Sequence, residues 1–98
     1  MMIAEYSLTD HEWQRVAPVI THGYTSKRYH ARDLLNAILY VIHTECPWRK
    51  LPVVYPKSST VFHYYQRWQK DGTLGFVLAE LASYRRAHPE AASQQLAA

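Results

Sequence analysis

Cysteine occurs once in this chain, at Cys46, so no internal disulfide framework can staple it. A lone thiol fits a reducing compartment and still permits a cross-link between two copies. Glycine is sparse, with three residues, and no collagen-like or linker-like stretch is present. Long apolar runs are missing as well. The longest, Leu34 to Ile42, is broken by Asn36 and falls far short of the about 20 residues a membrane-spanning helix needs. At the start, Met1-Met2-Ile3-Ala4-Glu5 places an acid where a secretory leader carries a basic region and then an apolar stretch. These absences predict a cytoplasmic protein with no membrane partner. Neither charge sign dominates: eleven Lys and Arg face eight Asp and Glu, a formal +3. That balance is compatible with an anionic partner without requiring one.

What is present is apolar content, 48% of 98 residues, with 13% aromatics. This suffices for one core and excludes a second domain, and with it most multi-part enzymes. Thr9 and Glu12 have capping-box spacing and open a first helix, with Leu8 and Trp13 placed as a hydrophobic staple. Val16, Val19 and Ile20 continue its apolar stripe, while Pro18 leaves its far end open. Thr21 to Tyr29 reads as a polar, basic connection. Ala31 to Glu45 is a central, largely buried helix, because Leu34, Leu35, Ile38, Leu39, Val41 and Ile42 cover more than one face. Cys46-Pro47 ends it, and a short helix over Pro47 to Leu51 is expected next.

Pro52 and Pro56 bracket a turn, after which Ser58 or Ser59 is placed to cap a helix running to Asp71, with Gly72 at a left-handed stop. Within it Val61, Tyr65 and Trp68 recur on one inward face. His63, Gln66, Arg67 and Lys70 share the opposite face, extended by Ser59 and Thr60. A last helix, Leu74 to Arg86, is expected to turn Phe76, Val77, Leu78 and Leu81 inward. No alternating stretch is long enough for a sheet. The fold class is therefore all-α: a small four- to five-helix domain over residues 6–86, with a frayed or disordered tail over 87–98. Pro47 to Leu51 and Ser58 to Asp71 have the plan of a helix-turn-helix, whose second helix enters the DNA major groove.

Four strings occur in order: Leu8-Thr9-Asp10-x-x-Trp13, Leu35-Asn36-Ala37-Ile38-Leu39-Tyr40-Val41, Cys46-Pro47-Trp48-Arg49-x-Leu51-Pro52 and Thr60-Val61-x9-Asp71-Gly72. Together, over about residues 6 to 82, they resemble the N-terminal helix-turn-helix domain of bacterial insertion-element transposases of the insertion-sequence-five group. The resemblance implies recognition of the element's DNA ends. In that family a separate RNase-H-like domain, farther along, carries three metal-binding carboxylates, and this chain stops before one. It is expected to be a stand-alone, non-catalytic binder of double-stranded DNA, acting at transposon ends or as a transcriptional regulator. The chain also departs from the family. Relatives place several arginines on the recognition helix where His63, Tyr64 and Gln66 stand here, which weakens phosphate attraction.

Base readout is assigned to Ser59, Thr60, His63, Gln66 and Arg67, since glutamine pairs with adenine and arginine with guanine. Phosphate contact is assigned to Lys57, Lys70, Arg49 and Lys50. So short a readout surface and so small a charge favour a homodimer or a separate catalytic subunit as partner. No cofactor or metal is expected: the histidines at 11, 22, 30, 43, 63 and 88 include no pair at i, i+3 or i+4, and Cys46 stands alone. His43, Glu45 and Cys46 are rejected as a nucleophile and base, since a thiol beside a helix-ending proline serves as a small packing group. Trp13, Trp48 and Trp68 are read as core. Two alternatives remain: a protein-interaction module that lost its DNA contacts and uses Tyr64 with Phe62 as an aromatic anchor, or the first frame of a split transposase.

Overall fold

The computed structural model describes residues 7–22, 24 and 28–88. Among them the regular elements are α1 (Asp10–Ile20), α2 (Ala31–Thr44), a single 3₁₀ turn (Trp48–Lys50), α3 (Ser58–Lys70) and α4 (Thr73–Ala87), with no strand. The all-α class expected from the sequence is observed. No helix among the described residues is long and apolar enough to cross a membrane. Tyr6, most of the connection between α1 and α2, and the tail beyond His88 lie outside the described residues.

Local chemistry explains where α1 begins. Thr9 Oγ1 accepts from the Glu12 N–H at 3.2 Å, and Glu12 Oε1 accepts from the Thr9 N–H at 3.0 Å, so two donors that a helix start leaves orphaned are satisfied reciprocally. Leu8 is buried ahead of the cap, and Trp13 packs against the core. Pro18 sits inside α1 without ending it. The backbone of Leu8 is then pinned to α2 from both sides: its N–H donates to Asn36 Oδ1 at 2.9 Å, and its carbonyl accepts from Arg32 Nη2 at 2.8 Å. Arg32 also reaches Asp10 at 2.8 Å.

Central helix α2 buries Ala31, Leu34, Leu35, Ala37, Ile38 and Leu39, as its broad apolar surface predicts. Ile42, in the last turn, remains 38% exposed. Glu45, rather than a glycine, terminates α2 in the left-handed region at φ 55°, and its N–H donates to the Val41 carbonyl at 2.8 Å. The short helix expected over Pro47 to Leu51 is a single 3₁₀ turn, Trp48–Lys50. α4 lies against α1 and α3, and α2 packs against α3 and α1.

Two expectations are corrected. Phe76 does not face inward but is 52% exposed. Its helix buries Leu74, Val77 and Leu81 instead, and a residue adjacent to Val77 points about 100° away from it, out of reach of the same neighbours. Nor does Ser58 or Ser59 cap α3. Lys57 holds the cap position without a side-chain bond, and its carbonyl accepts from the Thr60 and Val61 N–H groups that a Ser58 cap would have taken. Of the three tryptophans, Trp68 is buried, and Trp13 and Trp48 pack against the core partly buried.

Glu12 is fully buried and carries a second load besides the cap: its Oε2 accepts from Arg85 Nε at 2.6 Å, tying α1 to α4. Arg15 and Glu80 repeat the tie at 2.6 Å on the exposed side, where such a pair adds about 0.2–1 kcal/mol. His43 on α2 faces the same arginine. Burial, and then the Arg85 charge, push its imidazole below the ordinary histidine pKa. We expect Arg85→Ala to destabilise the fold by about 3–5 kcal/mol, because it strands a buried carboxylate. Glu12→Gln, which keeps an acceptor for the Thr9 N–H and leaves no charge inside, should be milder. Urea denaturation of the two variants decides; equal, small losses would contradict the role given to this pair.

Candidate nucleic-acid interface

The chain preceding α3 is set by its prolines. Tyr55 N–H donates to the Pro52 carbonyl at 3.1 Å, closing a turn, and Pro56 is buried against the body of the domain. Lys57 follows in extended geometry, and α3 starts at Ser58 with no acid in its first turn. Proline fixes its own φ and disfavours helix in the residue before it, so the start of α3 is determined by Pro56.

Two aromatic groups clamp the inner side of α3. On one flank Tyr64 lies 5.3 Å from Trp68 and 5.4 Å from Tyr24, centroid to centroid. On the other, Trp48 of the 3₁₀ turn sits 5.1 Å from Tyr65 and 5.3 Å from Phe62. Offset and tilted ring pairs at these separations are mutually attractive beyond the area they bury. Val61 and Trp68 are buried between the flanks, and the opposite side of α3 is exposed among the described residues. Tyr64 and Phe62, the proposed aromatic anchor of an interaction module, are both engaged within the chain.

The exposed side of α3 carries Ser59, His63, Gln66, Arg67 and Lys70, as its periodicity predicts. Thr60 sits at the edge of this face and is half-buried. Gln69, which the sequence reading did not nominate, is exposed as well; its spacing of three from Gln66 was the available signal. Arg49 and Lys50 are exposed on the 3₁₀ turn that touches α3, and Lys57 is exposed at its N-terminal end. The nominated residues therefore belong to one helix and the segment leading into it.

Charge is divided sharply in this molecule. Residues 46–70 contain five basic side chains, Arg49, Lys50, Lys57, Arg67 and Lys70, and no acid, whereas the rest of the chain holds six basic and eight acidic residues. All three ion pairs seen among the described residues join α1 to α4 or α1 to α2, and none involves these five cations. A run without acids is countable in the sequence, but that its cations are exposed and enter no ion pair among the described residues is visible only in three dimensions. Such a surface attracts polyanions at long range. Among the described residues no group of three metal-ligating side chains comes together.

Asp71 closes the acid-free stretch. Hydrogen bonds from Thr73, side chain and backbone, hold its carboxyl below the usual carboxylate range against a small desolvation effect, and Arg67 lowers it further. The Thr73 N–H reaches Asp71 Oδ1 at 2.9 Å, and Gly72 turns the chain at φ 87°, a conformation that side chains rarely adopt. These two residues set the direction in which α4 leaves α3.

A family model described as "Putative transposase of IS4/5 family (DUF4096)" matches residues 8–78, from the buried leucine ahead of α1 into α4. No curated protein and no solved structure matches the chain.

Because the Asp71 carboxyl is lowered in the folded state, its contribution is present above the ordinary carboxylate range and lost as pH falls through the depressed value. Asp71→Ala should therefore be slightly less stable than the parent at neutral pH, with the gap closing as solutions are acidified below about pH 4. Thermal melts across pH test this; a gap that persists in acid would contradict the assigned bonds.

Proposed function

The chain belongs to the IS4/5 transposase family over residues 8–78, and from that premise we propose that α3 and the 3₁₀ turn before it form a surface that reads duplex DNA. The observation that carries the proposal is the acid-free stretch 46–70: five exposed cations on α3 and the segment leading into it, none in an ion pair among the described residues. In this reading α3 is the second helix of a helix-turn-helix and lies in the major groove, with its polar side chains toward base edges. Ser59, Thr60, His63, Gln66 and Arg67 contact bases, Gln66 suiting adenine and Arg67 guanine. Lys57, Lys70, Arg49 and Lys50 contact phosphates and set register. α3 has no side-chain cap, which leaves its first N–H groups for an outside acceptor such as a phosphate oxygen.

The domain binds DNA without altering it. Support comes from four of its carboxylates, which hold scaffold positions: Glu12 pairs with Arg85, Glu80 with Arg15, Asp10 with Arg32, and Asp71 holds a turn. Its sites are the ends of an insertion element or a promoter, in the cytoplasm. A 13-residue helix is about 20 Å long and reads only a few base pairs, so two copies, or a catalytic partner, supply the remaining specificity.

Selection from random duplexes at defined salt, followed by binding measurements on the selected sequence, tests the proposal. Arg67→Ala or Gln66→Ala should weaken the selected duplex by about 1–3 kcal/mol and relax preference at one base pair. Lys70→Ala should weaken all duplexes alike and reduce the slope of log affinity against log salt by about one. Unchanged binding in all three variants would contradict α3 as the reading helix.

A further inference from the structure

Immediately before α3 lie the most exposed large apolar residues among the described ones, Val53 at 98% and Val54 at 68%. They are the two central residues of the turn that the Tyr55 N–H closes on the Pro52 carbonyl. Both legs of this turn are anchored. Leu51 is half-buried against the core on one side, while Tyr55 packs 5.4 Å from Tyr40 and Pro56 is buried on the other. The tip is thus held out from a fixed base. Nothing in the turn itself calls for valine, since asparagine, aspartate, glycine and serine are the residues that favour such positions. The fold accounts for the two prolines and for Tyr55, but not for the two valines.

We propose that Val53 and Val54 are a second DNA-contacting element, which packs on thymine methyl groups at the edge of the groove that α3 occupies. The inference rests on the DNA-reading assignment of α3. It favours duplex DNA over a protein occupant because of the surroundings: Arg49 and Lys50 precede the tip, Lys57 follows it, and no acid lies between residues 46 and 70. Val54 stands four residues before Ser58, and four residues of extended chain span at most about 14 Å. The tip therefore lies within about 14 Å of the first turn of α3, a distance comparable to the roughly 12 Å width of a major groove. On the base edges of that groove the apolar group on offer is the C5-methyl of thymine. A rigid pair of β-branched side chains meets it without the ordering that a longer side chain would require.

The test uses the full chain and a duplex selected from random DNA. The double variant Val53→Ser/Val54→Ser, at positions open to solvent, should keep its thermal stability and its salt slope, yet bind the selected duplex about tenfold more weakly. Replacing thymine by deoxyuridine, position by position, should weaken the parent protein to a similar degree at one or two flanking positions and leave the variant unaffected. Parental binding by the variant would overturn the proposal, as would a loss that no deoxyuridine substitution reproduces. A parent dimer that the double variant converts to monomer in sedimentation would also overturn it, by assigning the tip to a contact between copies. Failure of the α3 assignment is read separately, from Gln66→Ala and Arg67→Ala, which leave the tip intact.

Discussion

One buried carboxylate holds the arrangement together. Glu12 has no solvent exposure, and its two oxygens are divided between the cap of α1 and the guanidinium of Arg85 on α4. A charge taken out of water demands that both its partners be in place. The α1 start and the α4 end are consequently fixed relative to each other, and α4 in turn carries α3 across its other side. Were α4 free to rotate, the inner side of α3 would have no stable seat and its polar side no defined outward direction.

The same scaffold sorts the charges. Acids on α1 and α4 are matched with arginines from α1, α2 and α4. The cations of the 3₁₀ turn and α3 are left with no acid in their own stretch of chain. A net charge of +3 understates what an approaching polyanion meets at α3, because five cations lie on α3 and the segment before it while Asp10, Glu12 and Glu80 are paired with other arginines. Membership of the IS4/5 transposase family agrees with this division. Several residues of the recurring strings have structural roles: Leu8, Asp10 and Asn36 join α1 to α2, and Thr9 caps α1. Trp48 is the ring that clamps α3.

Much of this was legible in the sequence wherever the physics is local. The cap of α1 depends on two side chains three residues apart, and the two sides of α3 follow from a period of 3.6 across residues that differ plainly in polarity. Legibility ended where partners are distant or patterns degenerate. Arg85 lies 73 residues from Glu12, and no spacing rule connects them. α4 is apolar around most of its circumference, so Phe76, Val77 and Leu78 were equivalent in the sequence until packing buried Val77, seated Leu78 partly against the core and left Phe76 exposed. Two adjacent serines offered alternative caps for α3, and Pro56 settled the matter by placing Lys57 there. At the candidate interface the outward residues followed from the period, while the half-burial of Thr60 and the exposure of Gln69 depended on how α3 is seated.

The account stands on the claim that the uncovered side of α3, with the segment leading into it, is where duplex DNA docks. Titrating the isotope-labelled protein with a selected duplex and following backbone amide resonances tests it most directly. The account predicts shifts concentrated between Arg49 and Lys70, with the exposed sides of α1 and α4 undisturbed. Shifts confined to α1 and α4, with the amides of α3 unmoved at saturation, would contradict it.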